Sequence, residues 1–218
     1  MMRLEIAGGI GAGKTTLARV LAQTWSSVLV HEDVLNVPFF SKFYAEPQIY
    51  GFEKNISFLL SHADLIRDAA IKNERLVVCD FALFQDLSYT DIGCSPADAF
   101  AVEGVYHRLI DRVGQPSLVV HLQCTPDTQL QRIASRGRSQ ETGIERAYLV
   151  DLCGAIDRRL EQLRSEAPDL AIIKVDTEEV DYATDPAAAH AVAGELISSL
   201  QSPTPLHPSA AGTVGKRV

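Results

Sequence analysis

Between a short apolar run, Leu4–Ala7, and a helical opening at Thr16–Ala22 stands Gly8-Gly9-Ile10-Gly11-Ala12-Gly13-Lys14-Thr15. The segment matches G-x-x-x-x-G-K-[ST], and it constrains the fold more than any other feature of the chain. A strand has to enter such a loop and a helix has to leave it. The four glycines let the backbone curl until successive N–H groups point at phosphate oxygens, with the helix N-terminus adding its positive end. Lys14 is placed to reach the β- and γ-phosphates, and Thr15 to give its hydroxyl to Mg2+. The chain is therefore expected to bind a nucleoside triphosphate. What happens to the γ-phosphate has to be read elsewhere.

Further apolar runs at Val28–Val30, Leu76–Cys79, Leu118–Leu122 and Ala171–Val175 alternate with helical stretches. Their apolarity is continuous, as in strands covered on both faces, which predicts a parallel α/β sheet with helical crossovers. The longest helix is expected from about Ile49 to Ile71, and another from about Glu145 to Arg164, each with apolar residues stepping by three and four. One domain over residues 1–200 fits the 218-residue length; Gln201–Val218, with three prolines and neither aromatic nor acidic residues, reads as a disordered tail. A net charge of −8 argues against nucleic acid and anionic membranes as partners. The sequence shows no membrane span and no leader, and its cysteines lack a zinc or disulfide pattern, so a cytoplasmic location is expected.

In parallel sheets, ligands bind beyond the carboxyl ends of the strands. Two acids fall there. Asp80, directly after Cys79, is placed to hold Mg2+ through water, which leaves Glu32 to accept a proton from an incoming hydroxyl. On the long helix, Gln48, Asn55 and His62 recur every seven residues on the apolar face. Buried polar groups need partners, and several in line suggest the wall of a polar pocket. Arg132, Arg136 and Arg138 lie within seven residues after the fourth apolar run. In so acidic a chain they suit a lid whose guanidinium forks close over a transferring phosphoryl group.

Taken together, these residues resemble the deoxynucleoside kinase family, P-loop enzymes that phosphorylate the 5′-hydroxyl of deoxyribonucleosides. The resemblance runs from about Arg3 to Asp176. It rests on Gly8 through Thr16, on His31-Glu32-Asp33, on Pro38-Phe39-Phe40 through Phe43-Tyr44-Ala45-Glu46-Pro47, and on the arginine segment. It implies a three-layer P-loop fold with five parallel strands and a homodimer. It also implies an ATP site of Gly8 to Thr16 with Arg132, Mg2+ at Thr15 and Asp80, and Glu32 as general base beside Lys14, Arg136 and Arg138. Tyr44 and Glu141 match the pair that binds the sugar 3′-hydroxyl, Asn55 the carboxamide that reads the base, and Asp86 an acid that orders the substrate pocket. The chain also departs from the family pattern. Asp80-Phe81-Ala82 replaces Glu-Arg-Ser, Asn55 replaces a glutamine and His62 an arginine; His62 and Phe81 are thus expected at the substrate, with Phe81 stacking on or crowding the base.

The reading that follows is ATP-dependent phosphorylation of a deoxynucleoside, purine favoured, for nucleotide salvage. A thymidylate-kinase-like monophosphate kinase would need more basic residues at the acceptor. A kinase of a nucleoside-like natural product and a non-catalytic nucleotide-binding relative are further alternatives. A GTPase switch would need N-K-x-D, which the sequence lacks.

Overall fold

The computed structural model describes residues 1–138, 141 and 143–201, apart from the side chains of Tyr44, Pro47, Gln48 and Gln201. The expected tail, beyond its first residue, lies outside the described residues. Five strands form one parallel sheet: β1 (Met2–Gly8), β2 (Val28–Val30), β3 (Leu76–Cys79), β4 (Leu118–Gln123) and β5 (Ala171–Asp176). Their spatial order is β2-β3-β1-β4-β5, so the chain leaves β1 in one direction and later crosses it to reach the other side. The loop after β1 sits at that reversal, where open α/β sheets form their ligand crevice.

Continuous apolar strands are stable here because helices cover both faces. On one face, α1 (Lys14–Thr24) and α8 (Pro186–Gln201) pack Leu17, Leu21, Val192 and Leu196 on Leu4, Ile6 and Val120. On the other, α3 (Pro47–Ile71), α4 (Gln85–Gly93), α5 (Pro96–Val113) and α7 (Arg146–Glu166) bring Leu59, Leu87, Val102 and Leu160 over Ala7 and Val119. Each such side chain contributes about 1.5–3 kcal/mol relative to leaving it in water. Among the described residues the remaining α-helices are α2 (Phe40–Ala45) and α6 (Pro126–Arg136).

Strand boundaries follow pairing rather than composition. β1 begins two residues before the apolar run because Met2 and Arg3 register with Leu76 and Val77. Arg3 can lie in a buried strand because Glu5, on the same face, pairs with it at 2.8 Å, and its guanidinium also donates to the carbonyls of Val113 and Gly114. The other Glu5 oxygen accepts the Leu83 N–H at 3.0 Å, which fixes the segment between β3 and α4 to the central strand. α4 shows no amphipathic stripe because it is enclosed: Gln85, Asp86, Leu87, Ser88 and Thr90 are all buried.

Helix ends follow their sequences. Ser95 and Thr125 accept the Asp98 and Thr128 N–H groups, with Pro96 and Pro126 in the first turns, and α6 stops at Gly137 with φ 62°. α1 has no side-chain cap. Its first-turn amides are left for a ligand, and Gly13 enters the helix at φ 100°. A side chain at Gly13 would also lie 2.5 Å from the Tyr182 hydroxyl, so the position excludes one on both counts.

Candidate active site

Every strand delivers polar groups at its carboxyl end. Gly8 to Thr16 follow β1, His31 and Glu32 follow β2, Asp80 follows β3, α6 with its arginines follows β4, and Thr177 follows β5. A cleft of about 660 Å3 runs across these ends.

At the loop after β1, Lys14 Nζ donates to the carbonyls of Gly8 at 2.8 Å and Gly9 at 3.0 Å. Burial holds this ammonium below the ordinary lysine range, against the pull of Glu32 and Asp80 and with the push of Arg136. Gln85 brackets Gly8 from the other side, accepting its N–H at 2.8 Å and donating to its carbonyl at 3.1 Å. Thr15 donates its hydroxyl to Asp80 Oδ2 at 2.9 Å. The same oxygen meets His31 Nδ1 at 2.6 Å, while Asp80 Oδ1 accepts the Glu32 N–H at 2.9 Å. One carboxylate therefore ties the loop after β1 to the loop after β2. Arg132 lines the cleft with its guanidinium held by the Thr177 hydroxyl and carbonyl, each at 2.8 Å.

The part of the cleft beside α3 and α4 is organised around His62. Its Nδ1 donates to Asp86 Oδ2 at 2.8 Å and its Nε2 to Glu32 Oε1 at 2.9 Å. Burial alone would make this imidazole a weaker base, but the two carboxylates overcome that and raise its pKa to about 10. His62 is thus an imidazolium shared between two acids. Burial would likewise raise Glu32, yet the hydrogen bond and charge of His62, with Lys14 and His31, hold it below the ordinary carboxylate range. Glu32 stays ionised and aimed into the cleft. Asp86 moves the other way, pushed up by burial against the pull of His62. The wall is completed by Asn55, which donates to Cys94 Sγ at 3.3 Å, and by Phe40, Phe43, Phe58 and Tyr89.

The structure brings most of the expected site residues to one cleft: Ile10, Gly11, Gly13, Lys14, Thr15, Thr16, Glu32, Asn55, Asp80, Asp86, Arg132, Arg136, Arg138 and Glu141 all line it. Gly8, Gly9 and Ala12 lie beneath, shaping the loop. Arg136 pairs with Glu141 through Nε at 2.6 Å, and Arg138 approaches the same carboxylate at 3.5 Å. Tyr44 lies on α2, but its side chain is outside the described residues, as are Ser139, Gln140 and Thr142 beside the arginines.

Two expectations need correction. Phe81 is not placed to stack on a base: it is buried beside Val30 and Ile66, outside the cleft lining, with its ring stacked on that of His62 at 3.9 Å and nearly parallel to it. His62 does not line the cleft either. It acts through Glu32 and Asp86, because pairing with two buried carboxylates keeps it behind them. Sequence reasoning also missed the segment after β5, where Thr177, Val180, Asp181, Tyr182 and Ala183 line the cleft, and it missed Lys54. Neither carries a motif. The only sequence signal for Lys54 is a charge preceding Asn55 on a helix otherwise read for its apolar face.

A family model described as deoxynucleoside kinase matches residues 4–200. The chain belongs to the deoxynucleoside kinase family. The kinase is 29% identical over 182 residues to a deoxyguanosine kinase of Bacillus subtilis (strain 168), covering 82% of this chain and 88% of that one. It is 28% identical over 174 residues to a deoxyadenosine kinase of Dictyostelium discoideum, covering 78% and 71%. In fold it is similar to a deoxyadenosine kinase from M. mycoides with bound dCTP, at a TM-score of 0.73 and 21% identity over 90% of this chain and 100% of that chain. The same protein with bound dATP gives 0.72 and 22%. The chain is an ATP-dependent kinase of deoxynucleosides. Among the described residues, no helix of the kinase is long and apolar enough to cross a membrane.

Proposed function

We propose that this kinase moves the ATP γ-phosphoryl group to the 5′-hydroxyl of a purine 2′-deoxyribonucleoside in nucleotide salvage. The observation that carries the reading is that Lys14 and the ionised Glu32 face one cleft, close enough for each charge to shift the other. The loop of Gly8 to Thr16 holds the triphosphate on the open first turn of α1, with Lys14 turning to the β- and γ-oxygens. Arg132 and the 177–183 segment border the nucleotide. Glu32 orients the 5′-hydroxyl and takes its proton. A loose phosphoryl-transfer transition state asks for positioning more than base strength, so a carboxylate of low pKa suffices. Arg136 and Arg138 meet the charge that spreads over the transferring group.

Mg2+ suits this site. Thr15 Oγ1 and Asp80 form an all-oxygen pair, and a magnesium ion bound with substrate phosphates takes few protein oxygens and several waters. Among the described residues, no group of three or more His, Cys, Asp or Glu side chains could hold a metal without such phosphates. Thr15 and Asp80 would hold the ion, which would supply positive charge to offset the negative charge of the phosphates. Asn55 and Asp86 face the base, while Glu141 accepts a hydrogen bond from the 3′-hydroxyl and Tyr44 donates one to it. The four unpaired thiols suit a cytoplasmic compartment, and a homodimer belongs to the same reading.

The test is an ATP-coupled assay over a deoxynucleoside panel with Lys14→Ala as control. The variant should fold, by circular dichroism, and lose transfer. Near wild-type rates in a folded Lys14→Ala protein would overturn the reading.

A further inference from the structure

Lys54 precedes Asn55 on α3 and lines the acceptor half of the cleft, yet only 9% of its surface is exposed. Its ammonium sits among three aromatic rings, 4.4 Å from the centroid of Phe43, 5.3 Å from Tyr89 and 5.7 Å from Phe58. Among the described residues, no carboxylate, carbonyl or hydroxyl accepts a hydrogen bond from it. Cation–π contact offsets part of the cost of burying a charge but satisfies none of the three N–H donors. Buried lysines are rare unless paired. The side chain is thus enclosed by rings that accept none of its N–H groups, in a residue that lines the cleft a substrate would fill.

The neighbouring groups narrow what that substrate presents. Asp86 spends Oδ2 on His62 and leaves Oδ1 without a donor among the described residues. Asn55 spends its amide nitrogen on Cys94, and its carbonyl oxygen meets no donor among the described residues. The wall therefore offers donors from Lys54 beside acceptors from Asp86 and Asn55. A 6-oxopurine has the complementary edge: the O6 acceptor next to the N1–H donor, with a further N–H2 donor at C2 in guanine. A 6-aminopurine presents an amine to the ammonium and a bare N1 to the acceptors. Both contacts then set like against like.

We propose that Lys54 is a specificity-determining residue that hydrogen-bonds the O6 carbonyl of the base, making 6-oxopurine deoxynucleosides the preferred acceptors. This rests on the deoxynucleoside kinase reading above and names the substrate class of the same site. Charge on the ammonium strengthens the contact; burial lowers its pKa only to about 8, so the group remains largely protonated at pH 7.

The experiment compares kcat/KM for deoxyinosine and deoxyadenosine, which differ only at C6 and N1, with deoxyguanosine, thymidine and deoxyguanosine monophosphate alongside. Wild type should favour deoxyinosine over deoxyadenosine by roughly 10–150-fold, the equivalent of the ~1.5–3 kcal/mol of a hydrogen bond to a charged group. Lys54→Met keeps the length and suits the aromatic rings, and it should collapse that ratio to within a few-fold. If the variant does not fold, the wild-type ratio alone decides. A wild-type preference for deoxyadenosine or thymidine, or an equal loss for both purines in Lys54→Met, would overturn the assignment. So would a selective loss of monophosphate phosphorylation, which would make Lys54 a phosphate group's partner. If wild type phosphorylates no deoxynucleoside at all, the proposed function fails first. If it phosphorylates them without discriminating at C6, only the role of Lys54 fails.

Discussion

Replacing His62 by glutamine removes the cation from between two carboxylates that stand 2.8 and 2.9 Å from its nitrogens. Glutamine keeps the polarity but carries no charge, so Asp86 and Glu32 lose the one cation hydrogen-bonded to both and keep only the weaker pull of Lys54 on Asp86 and of Lys14 on Glu32. Removing one partner of a buried ion pair typically costs about 3–5 kcal/mol. At about 2–4 °C per kcal/mol for a domain of this size, the melting temperature should fall by roughly 6–20 °C near pH 7. The pH dependence has a definite sign. The folded pKa of His62, about 10, lies above its ordinary 6.5. Its stabilisation is therefore complete below pH 6.5 and is lost as the pH rises through about 10. Lys54 titrates in the opposite sense, its folded pKa of about 8 lying below the ordinary 10.5, but it is present in both proteins and cancels in their difference. The stability gap between wild type and His62→Gln, measured by denaturant unfolding from pH 6.5 to 10, should narrow steadily. A gap under about 1 kcal/mol at pH 7, or one that widens with pH, would refute the doubly paired imidazolium.

Two further outcomes follow from the same geometry. Glu32→Gln should lower kcat by about 10²–10⁴-fold, as loss of a general base does, while ATP affinity by titration calorimetry barely moves; a collapse of ATP binding would instead assign Glu32 to the metal. Arg138→Ala, with its guanidinium half exposed and 3.5 Å from Glu141, should depress kcat more than nucleoside KM, because the charge it meets develops only in transfer. A change confined to KM would remove it from the phosphoryl site.

The nucleotide half was legible because its chemistry is local. Gly8 to Thr15 are contiguous, and Asp80 and Glu32 stand just past apolar strands whose continuity implies a parallel sheet. The acceptor half was legible only in outline. That Asn55 and His62 face inward follows from helical spacing. That His62 is held by acids from the β2 and α4 segments requires the tertiary fold, and with that hold Phe81 becomes a partner of the imidazole instead of the base. Lys54 was invisible for a different reason. A lysine on a helix reads as solvated, and only the packing of Phe43 and Phe58 from α2 and α3 against Tyr89 of α4 encloses it. Arg3 and Glu5 at alternate positions of an otherwise apolar strand did carry a signal for their buried pair.

The two carbonyls that now receive the Lys14 ammonium each have a second donor. Gly8 O also accepts from the Gln85 amide at 3.1 Å, and Gly9 O from the Ala12 N–H at 3.2 Å. An arriving triphosphate can therefore draw the lysine away without orphaning either oxygen. That spares the ~1–3 kcal/mol that an abandoned buried acceptor would otherwise subtract from nucleotide affinity. The loop also has no reason to rearrange when the lysine departs. On this geometry the rearrangement that binding demands falls on a single four-carbon arm and not on the loop.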